Sequence, residues 1–374
     1  MFWLNGHVSN DFMVQVYVMA DKKHILLTGG GTAGHVTPNI ALLPALRKAG
    51  YTISYIGSAN GIEKELISRE GIPFYTIPAG KLRRYFDLKN LSDIGRIKLG
   101  FLKSLLLVRK IRPGVLFSKG GFVSCPVVWA CWLLRVPVVI HESDISPGLA
   151  NRLSLPFAKK ICYSFPETAA HLVKSKAVHT GIPVREALFS GDAGKGRALC
   201  GFSGEKPVVM VIGGSLGSQA VNACVRESLD MLLREYQVCH VCGRGNLAES
   251  RPGYAQFEYV NDELSHLFAM ADVVVSRAGA TALFELAALN KPNLLIPLPL
   301  SASRGDQILN AASFEKQGFS RVLAQEKMTA ATMVENIRLV HENRMAMKAA
   351  MKERAPKNAI AEIIRVIGEE SKKG

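Results

Sequence analysis

A histidine follows a run of glycines near the start of the chain, in an arrangement suited to phosphate chemistry. The stretch Gly29-Gly-Gly-Thr-Ala-Gly-His35 comes directly after a short apolar run, residues 24–28. Glycines let the backbone turn sharply and approach another group closely, because they lack Cβ. A helix that starts at such a loop presents free N–H groups and its positive dipole end to an anion. His35 is predicted at the mouth of this anion site, where an imidazole can act as a general base.

Glu142 is a second candidate for proton transfer. It follows the apolar run 136–140, which predicts a place at the carboxyl end of a buried strand, where open α/β sheets bind ligands. The residue types leave the two roles open. For Glu142 three roles stay open: the base, a group that orients His35, and a partner in a structural ion pair. For His35 two roles stay open: the base, and a ligand that only binds phosphate.

The spacing Gly29-x-Gly31-x-x-Gly34 also matches the dinucleotide-binding fingerprint. That fingerprint needs an acidic residue about 20 residues further on, at the end of the second strand, to hold a ribose. Here the second predicted strand, residues 51–56, is followed by Gly57-Ser-Ala59. The sequence therefore argues against a nicotinamide-dependent dehydrogenase.

The elements that must position these residues alternate in type. Thr37 is predicted to cap the first helix, with Pro38 at its first position and Gly50 at its end. Helical stretches separate the predicted strands, which indicates a parallel sheet covered on both faces. These strands are residues 52–56, 115–118, 136–140 and 160–163.

The opening unit recurs in the second half of the chain. Residues 208–212 predict a strand, residues 213–218 a second glycine loop and residues 219–234 a mostly helical stretch. A third strand and helix flank Arg277-Ala-Gly-Ala280. The sequence therefore predicts an α/β protein of two doubly wound domains with the active site between them. The loop 213–218 and the turn before Thr281 each place a helix N-terminus near this site, where free N–H groups are predicted to stabilise the charge of an anion.

Composition limits the classes of function. The chain has 374 residues, of which 48% are apolar and 21% charged, as expected for a globular protein of about two domains. Its net charge of +15 indicates an acidic partner. Nucleic acid would explain the charge but not the paired glycine loops, so no nucleic-acid partner is predicted. No apolar run is long enough to span a bilayer, and seven cysteines make no disulfide framework, which favours a reducing compartment.

Residues 81–112 concentrate positive charge among apolar side chains. The stretch has ten Lys and Arg residues against two Asp residues, a local net charge of +8. Cations interleaved with aromatic and leucine side chains are typical of an element that lies in a membrane interface. The predicted membrane contacts are Arg83, Arg84, Tyr85 and Phe86. For residues 99–108 alone, an ordinary core helix with a solvated basic face is an equal alternative.

Six motifs resemble, in this order, those of the MurG family, the peripheral membrane glycosyltransferases of peptidoglycan synthesis. They are Gly29-Gly-Gly-Thr-Ala-Gly-His35, Ser118-Lys-Gly-Gly-Phe-Val-Ser124, His141-Glu-Ser-Asp-Ile-Ser-Pro-Gly-Leu-Ala-Asn151, Gly213-Gly-Ser-Leu-Gly217, Ser276-Arg-Ala-Gly279 with Glu285, and Asp306-Gln307. The resemblance implies the GT-B fold, in which two Rossmann-like domains with parallel sheets face each other across a cleft. It also implies inverting transfer of N-acetylglucosamine (GlcNAc) from UDP-GlcNAc to the MurNAc 4-hydroxyl of lipid I, undecaprenyl-pyrophosphoryl-MurNAc-pentapeptide, which gives lipid II.

The resemblance assigns roles to single residues. Glu285 would bind the ribose hydroxyls, and Asp306 and Gln307 the GlcNAc, unless these two merely start a helix. The predicted donor-binding residues are Thr32, Ala33, Gly34, Asp144, Arg185, Ser215, Ala280, Thr281, Glu285, Asp306 and Gln307, and the predicted acceptor and diphosphate loops contain Gly30, Gly31, Gly120 and Gly121. Many family members have Asn where this chain has Asp144, so the contacts of Asp144 stay open.

The resemblance also divides the chain. Residues 1–22 are expected to be an N-terminal extension or the result of a start codon assigned too early. Residues 23–185 would form an acceptor and membrane-facing domain and residues 186–350 a UDP-GlcNAc-binding domain. Residues 351–374 would form a C-terminal helix that packs back on the first domain.

No metal or other cofactor is predicted, because the chain lacks the Asp-x-Asp triplet that commonly holds a metal–diphosphate. The resemblance implies a peripheral position on the cytoplasmic face of the bacterial cell membrane, with an anionic membrane surface and proteins of cell-wall synthesis or division as partners. Two alternatives share the fold: a synthase that moves a hexose from a UDP-sugar to diacylglycerol, and a UDP-GlcNAc epimerase. UDP release with and without a polyprenyl-pyrophosphate acceptor separates them.

Overall fold

The computed structural model describes residues 21–80, 89–214 and 217–373. Within these ranges the chain forms two parallel sheets, one of seven strands and one of six, each flanked by helices. Ser215 and the predicted membrane residues Arg83, Arg84, Tyr85 and Phe86 lie outside the described residues, as do residues 1–20.

The first sheet is built from alternating strands and helices. The elements are β1 (Asp21–Thr28), α1 (Ala33–Lys48), β2 (Thr52–Ser58), α2 (Ile62–Ser68), β3 (Phe74–Ile77), α3 (Lys89–Ile111), β4 (Pro113–Ser118), α4 (Ser124–Leu133), β5 (Val138–Glu142), α5 (Leu149–Ser154), β6 (Lys160–Tyr163) and β7 (Ala177–His179). The spatial order is β3-β2-β1-β4-β5-β6-β7. Every residue of β4 and β5 is buried, as expected for strands covered by helices on both faces.

The second sheet repeats this plan. Its elements are α6 (Ala193–Leu199), β8 (Val208–Ile212), α7 (Gln219–Glu227), α8 (Leu229–Glu235), β9 (Gln237–Val241), β10 (Tyr254–Phe257), α9 (Leu264–Met270), β11 (Val273–Ser276), α10 (Ala280–Ala288), β12 (Asn293–Leu295), α11 (Asp306–Lys316), β13 (Ser320–Val322), α12 (Ala330–Glu342) and α13 (Arg344–Arg354). The order is β10-β9-β8-β11-β12-β13. The strand order changes direction between β1 and β4 in the first sheet and between β8 and β11 in the second. Doubly wound sheets bind ligands at such points.

A last helix, α14 (Ala359–Lys373), returns the chain to the first sheet. Its side chains Ile363, Val366 and Ile367 are buried in the same core as Ile25 and Leu27 of β1. The two halves are therefore joined by two crossing segments, one before α6 and one before α14. No helix in the described ranges combines the length and the apolar character needed to cross a bilayer.

The predicted architecture, two doubly wound units facing across a cleft, is confirmed. The predicted start of the first helix at Thr37 is wrong, because α1 begins at Ala33. Pro38 therefore lies inside the helix and lacks the N–H that would bond the Gly34 carbonyl. Thr281 Oγ1 of α10, in the other half, donates to that carbonyl at 3.2 Å instead.

Candidate active site

A cavity of about 930 Å³ lies between the two halves. The start of α1 and the loop after β5 form one wall, and the loop after β8 and the starts of α10 and α11 form the other. These segments follow the carboxyl ends of parallel strands, so several helix N-termini are directed at the cavity. The predicted site residues that line it are Thr32, Ala33, Gly34, His35, Asp144, Arg185, Ala280, Thr281, Glu285, Asp306 and Gln307.

His35 lies in the first turn of α1 and is half-buried. Its Nδ1 is 3.1 Å from Thr32 Oγ1, a contact that orients the ring. Burial and then the charge of Lys119 lower the pKa of His35 to about 4, with the Gly30 carbonyl acting in the opposite direction. The imidazole is therefore neutral at pH 7 and has a lone pair that can accept a proton.

The glycine loop after β1 is bonded within the protein. Gly31 N–H donates to Glu63 Oε2 at 3.2 Å, and Gly30 N–H donates to the Gly120 carbonyl at 3.3 Å. Gly121 has a φ of +85°, and a Cβ there would lie 2.2 Å from the Gly30 carbonyl oxygen, so the two loops can touch only with glycine at this position. These bonds occupy the N–H groups of Gly30 and Gly31, whereas the first N–H groups of α1 have no partner within the helix and are directed at the cavity.

Glu142 ends β5 and is 3% exposed, and its carboxylate is well supplied with donors. It accepts from Asn151 Nδ2 at 2.7 Å, Asp144 N–H at 2.9 Å and Gly148 N–H at 3.2 Å. Burial and the neighbouring charge of Asp144 raise the pKa of Glu142 to about 7. The bonds fix the loop that carries Asp144, so this geometry favours an ordering role for Glu142 over that of the base.

Arg185 and Glu285 form an ion pair at the cavity wall. Arg185 Nη2 donates to Glu285 Oε1 at 3.3 Å. Burial raises the pKa of Glu285, and the charge of Arg185 opposes this rise. Within the described part of the chain, Arg185 Nε is buried without an acceptor. A buried guanidinium N–H in this state is suited to an anionic oxygen of a ligand.

Asp306 and Gln307 begin α11, whose N-cap is Gly305 with a φ of +83°. The Gln307 Oε1 atom accepts from Leu298 N–H at 3.1 Å. This bond holds the amide in place and leaves its NH₂ group as a donor at the cavity wall. The helix start therefore contains both residues without using either as its cap.

Arg304 is a cavity residue that the sequence analysis missed. Its Nη2 is 3.6 Å from Asp144 Oδ2 and its Nε is 3.6 Å from Asp306 Oδ1. Asp144 also accepts from Asn310 Nδ2 at 3.0 Å. Asp144 thus bonds the second half of the molecule across the cleft. The only sequence signal for Arg304 was its position two residues before Asp306.

The glycine loop after β8 turns towards the start of α7. Gly217 has a φ of +73°, and a Cβ there would lie 2.2 Å from the Cys242 carbonyl oxygen. Arg277, which the sequence placed in a motif but gave no role, donates through Nη2 to Ser218 Oγ at 2.7 Å. Ser218 in turn caps α7, accepting from Val221 N–H. The N-terminus of α7 is therefore held at the cavity wall.

Both halves match family models in chain order. Residues 25–163 match the glycosyltransferase family 28 N-terminal domain, and residues 208–366 the family 28 C-terminal domain. The crystal structure of Acinetobacter baumannii MurG superposes with a TM-score of 0.73 at 23% identity, over 93% of this chain and 99% of that one. A protein described as a UDP-N-acetylglucosamine 2-epimerase, from Listeria monocytogenes, gives 0.70 at 10% identity, over 94% and 97%. These likenesses show the fold, which serves several activities.

Curated relatives share about half of the residues. One from Clostridium tetani (strain Massachusetts / E88) is 51% identical, over 92% of this chain and 98% of its own length. One from Bacillus cereus (strain ATCC 10987 / NRS 248) is 52% identical, over 93% and 99%. Both are named as UDP-N-acetylglucosamine–N-acetylmuramyl-(pentapeptide) pyrophosphoryl-undecaprenol N-acetylglucosamine transferases. Two family 28 domains in order and this identity over nearly the whole length mean that the chain belongs to the MurG family of glycosyltransferases.

Proposed function

We infer that this chain transfers GlcNAc from UDP-GlcNAc to N-acetylmuramyl-(pentapeptide) pyrophosphoryl-undecaprenol, lipid I, and so makes lipid II. The observation that carries the inference is the identity of 51% and 52% with relatives named for this reaction, along nearly their whole length. Their names support this acceptor and give no support to diacylglycerol, the alternative acceptor considered from the sequence.

The cleft supports a reaction in which two substrates meet between the halves. Its volume of about 930 Å³ is near the upper end of the roughly 300–1,000 Å³ that is typical of ligand pockets. That volume suits a nucleotide sugar together with the reacting end of an acceptor. Helix N-termini on both walls suit the diphosphate of the donor and the pyrophosphate of the acceptor.

In the proposed step, a ring nitrogen of His35 takes the proton of the MurNAc 4-hydroxyl. The oxygen attacks C1 of GlcNAc as the bond from C1 to the UDP oxygen breaks, and UDP leaves with the electron pair. Attack from the face opposite the leaving group inverts the anomeric centre. Substrate phosphates near His35 favour its protonated form, so the donor and acceptor raise the pKa of the base from its low starting value.

The donor contacts follow from the groups at the cavity wall. We assign the ribose hydroxyls to the Glu285 carboxylate and a diphosphate oxygen to Arg185, whose Nε lacks an acceptor in the described structure. Asp306 and the Gln307 amide supply an acceptor and a donor for sugar hydroxyls. The glycine loop after β8 and the start of α10 stabilise the charge that grows on UDP.

We further propose that the first half, residues 23–185, attaches the enzyme to the cytoplasmic face of the membrane. On α3, Leu99, Leu102 and Leu106 are 57%, 57% and 66% exposed. Their spacing puts them on one stripe of the helix. Helical geometry places Lys103 and Lys110 on one side of this stripe and Lys98 and Arg109 on the other, as in a helix that lies in an interface.

The neighbouring helix α4 also exposes large apolar side chains. It packs against α3, and its Trp132 and Leu133 are 53% and 55% exposed. Tryptophan is enriched at membrane–water interfaces. Each cation near an anionic leaflet contributes about 1 kcal/mol, which together gives reversible attachment. Arg83, Arg84, Tyr85 and Phe86 stay predicted membrane contacts from the sequence alone.

The test is release of UDP from UDP-GlcNAc with lipid I, with diacylglycerol and without acceptor. We expect UDP release only with lipid I, with one GlcNAc transferred for each UDP formed. UDP release that depends on diacylglycerol would mean that diacylglycerol, and not lipid I, is the acceptor. Epimerisation of UDP-GlcNAc without any acceptor would mean that the enzyme is an epimerase and not a glycosyltransferase.

A further inference from the structure

Lys119 is a buried lysine directly after β4 whose only effect described so far is that its charge lowers the pKa of His35. Its side chain is 1% exposed and lies against the first glycine loop, where a Cβ on Gly29 would be 3.0 Å from Lys119 Cβ. Lys119 Nζ is 2.7 Å from His141 Nδ1 and 2.6 Å from Ser143 Oγ. A charged or potentially charged group is costly to bury unless its bonds are made, so these two contacts matter.

The directions of these hydrogen bonds follow from the groups around them. His141 Nε2 is 2.8 Å from the Gly181 carbonyl, which can only accept, so Nε2 carries the hydrogen. Burial and the charge of Lys119 lower the pKa of His141 well below its ordinary value. The neutral ring therefore has a lone pair on Nδ1, and Lys119 donates to it. Lys119 also donates to Ser143 Oγ.

Ser143 is thereby left with an unused hydrogen. Its oxygen accepts from Lys119, and the side chain lines the cleft between the halves. Within the described residues no protein acceptor is seen for the Ser143 hydroxyl hydrogen. Positive potential comes from Lys119 behind the hydroxyl and from the first turn of α1, which directs its N–H groups to the same cavity, while Arg304 is paired with the neighbouring Asp144 and Asp306 carboxylates. The complementary group is an anionic oxygen.

We propose that Lys119 is a positioning residue that holds and polarises the Ser143 hydroxyl, which donates its hydrogen to a phosphate oxygen of a substrate in the cleft. The proposal rests on the proposed function, because both substrates of that reaction carry a diphosphate. The oxygen belongs to the UDP of the donor or to the pyrophosphate of the acceptor. The experiment below separates these two sources.

The protonation of Lys119 is linked to the same event. Burial lowers its pKa to about 7, while Glu142, Asp144 and Cys162 act in the opposite direction. A neutral amine has two N–H donors, which His141 and Ser143 accept, whereas an ammonium has a third. A phosphate bound at Ser143 favours the ammonium form. Lys119 also lowers the pKa of His35, so its removal changes the pH dependence of the base.

The test compares Ser143→Ala, Lys119→Met and the double variant in the UDP-release assay. Loss of a hydrogen bond to a charged group lowers kcat/KM by about 10- to 100-fold. We expect that loss for Ser143→Ala and at least as large a loss for Lys119→Met. The double variant should be no worse than Lys119→Met, because one residue acts through the other. In Lys119→Met the acidic limb of the kcat/KM profile should move to higher pH.

Lys291→Met is the matched control. Lys291 is a part-buried lysine of the second half whose Nζ donates only to the Ala269 and Ala271 carbonyls in the described structure, and burial lowers its pKa to about 8. We expect it to lower the midpoint of thermal unfolding and leave kcat/KM within about twofold, since it lies outside the cleft.

The affinity for UDP and the KM for lipid I, measured separately, identify which substrate supplies the phosphate that contacts Ser143. A weaker affinity for UDP in Ser143→Ala assigns the contact to the donor, and an increased KM for lipid I with unchanged UDP affinity assigns it to the acceptor. Wild-type kcat/KM in Ser143→Ala overturns the proposal even if Lys119→Met does not fold. So does a double variant whose loss is the product of the single losses. An inactive wild-type protein would instead reject the proposed function.

Discussion

Three titratable side chains in or beside the cleft have their protonation set by loss of water. Burial lowers the pKa of His35 to about 4 and of Lys119 to about 7, and raises that of Glu142 to about 7. Each shift favours the neutral form, as desolvation does. An anionic substrate reverses the balance for the two basic groups, because it stabilises their protonated forms. His35 and Lys119 therefore become better proton acceptors when the cleft is filled.

Replacing His35 tests the assignment of the base. We expect His35→Ala to lower kcat by about 100-fold or more, the usual contribution of a general base, while the affinity for UDP-GlcNAc changes little. Binding by calorimetry and turnover by UDP release give the two quantities separately. If donor binding collapses while kcat holds, His35 is a phosphate ligand and the base lies elsewhere.

Two substitutions on the donor wall should have opposite selectivity. Gln307→Ala should weaken UDP-GlcNAc much more than UDP, because the amide that it removes is assigned to the sugar. Glu285→Ala should weaken UDP itself, because its carboxylate is assigned to the ribose. Competition binding with both ligands measures each ratio. Equal weakening of the two ligands by Gln307→Ala would place residue 307 at the nucleotide.

At the scale of elements, α3 has two different faces. Gly100, Ser104 and Val108 are buried, and a Cβ on Gly100 would lie 2.3 Å from the Pro78 carbonyl oxygen, so this face packs closely on the protein. The opposite stripe exposes three leucines between cations. One helix therefore serves both the core and a surface, which is why the sequence left its role undecided.

The exposed stripe gives a direct test of the membrane proposal. We expect Leu99→Gln, Leu102→Gln and Leu106→Gln together to lower binding to phosphatidylglycerol vesicles by at least about tenfold, because less apolar area enters the interface. UDP-GlcNAc affinity should be unchanged. Co-sedimentation at low and moderate salt measures the binding.

The matched control replaces three apolar residues of the second half, Leu199, Leu247 and Met345, which are 46%, 57% and 68% exposed. Their replacement by Gln removes comparable exposed apolar area and should leave vesicle binding unchanged. Equal loss in both triple variants, or none in the α3 variant, would move the membrane surface elsewhere.

Local patterns were sufficient to predict most of the inner strands, the glycine loops and the repeat, because each lies within a short stretch of chain. The edge strands β3, β7, β10 and β13 were not predicted. Local patterns failed where a partner is distant in sequence. The start of α1 was placed at Thr37 because Pro38 usually marks a first turn, and the donor that makes an internal Pro38 tolerable is Thr281. Arg304 was missed because Asp144, which explains it, lies in the other half. The contact of Glu63, in α2, with Gly31 of the first glycine loop had no local sequence signal either.

At the scale of the whole molecule, the protein has histidines shielded from water in both halves, of which His141 and His240 are fully buried. Burial lowers the pKa of His35 and of His240 to about 4, and that of His141 well below its usual value. A folded-state pKa below the unfolded value of about 6.5 means that the unfolded chain binds protons first. Stability from these groups is therefore full above pH 6.5 and is lost as the pH falls towards 4.

His240 provides the test, because it lies in β9, away from the cleft, bonded to Asn222 Oδ1 and Tyr254 Oη at 2.9 Å each. Its shift corresponds to about 3 kcal/mol of stability lost between pH 6.5 and pH 4. We expect His240→Gln to have a lower thermal midpoint at pH 7 and a shallower decline towards pH 4 than the wild type. The exposed His171→Gln should keep the wild-type slope, and a wild-type slope in His240→Gln would contradict the account.

The bond from Thr281 to Gly34 ties the folding of one helix to the distance between the halves. Pro38 leaves α1 one hydrogen bond short in its first turns, and α10 supplies that bond only when the cleft is as narrow as it is here. A ligand that draws the two halves together therefore also favours the hydrogen bond to the Gly34 carbonyl of α1. By the same coupling, formation of this bond favours the closed arrangement of the halves. Amide hydrogen exchange in the first turns of α1 should slow when donor and acceptor bind, so the helix that carries His35 reports on closure of the enzyme from within.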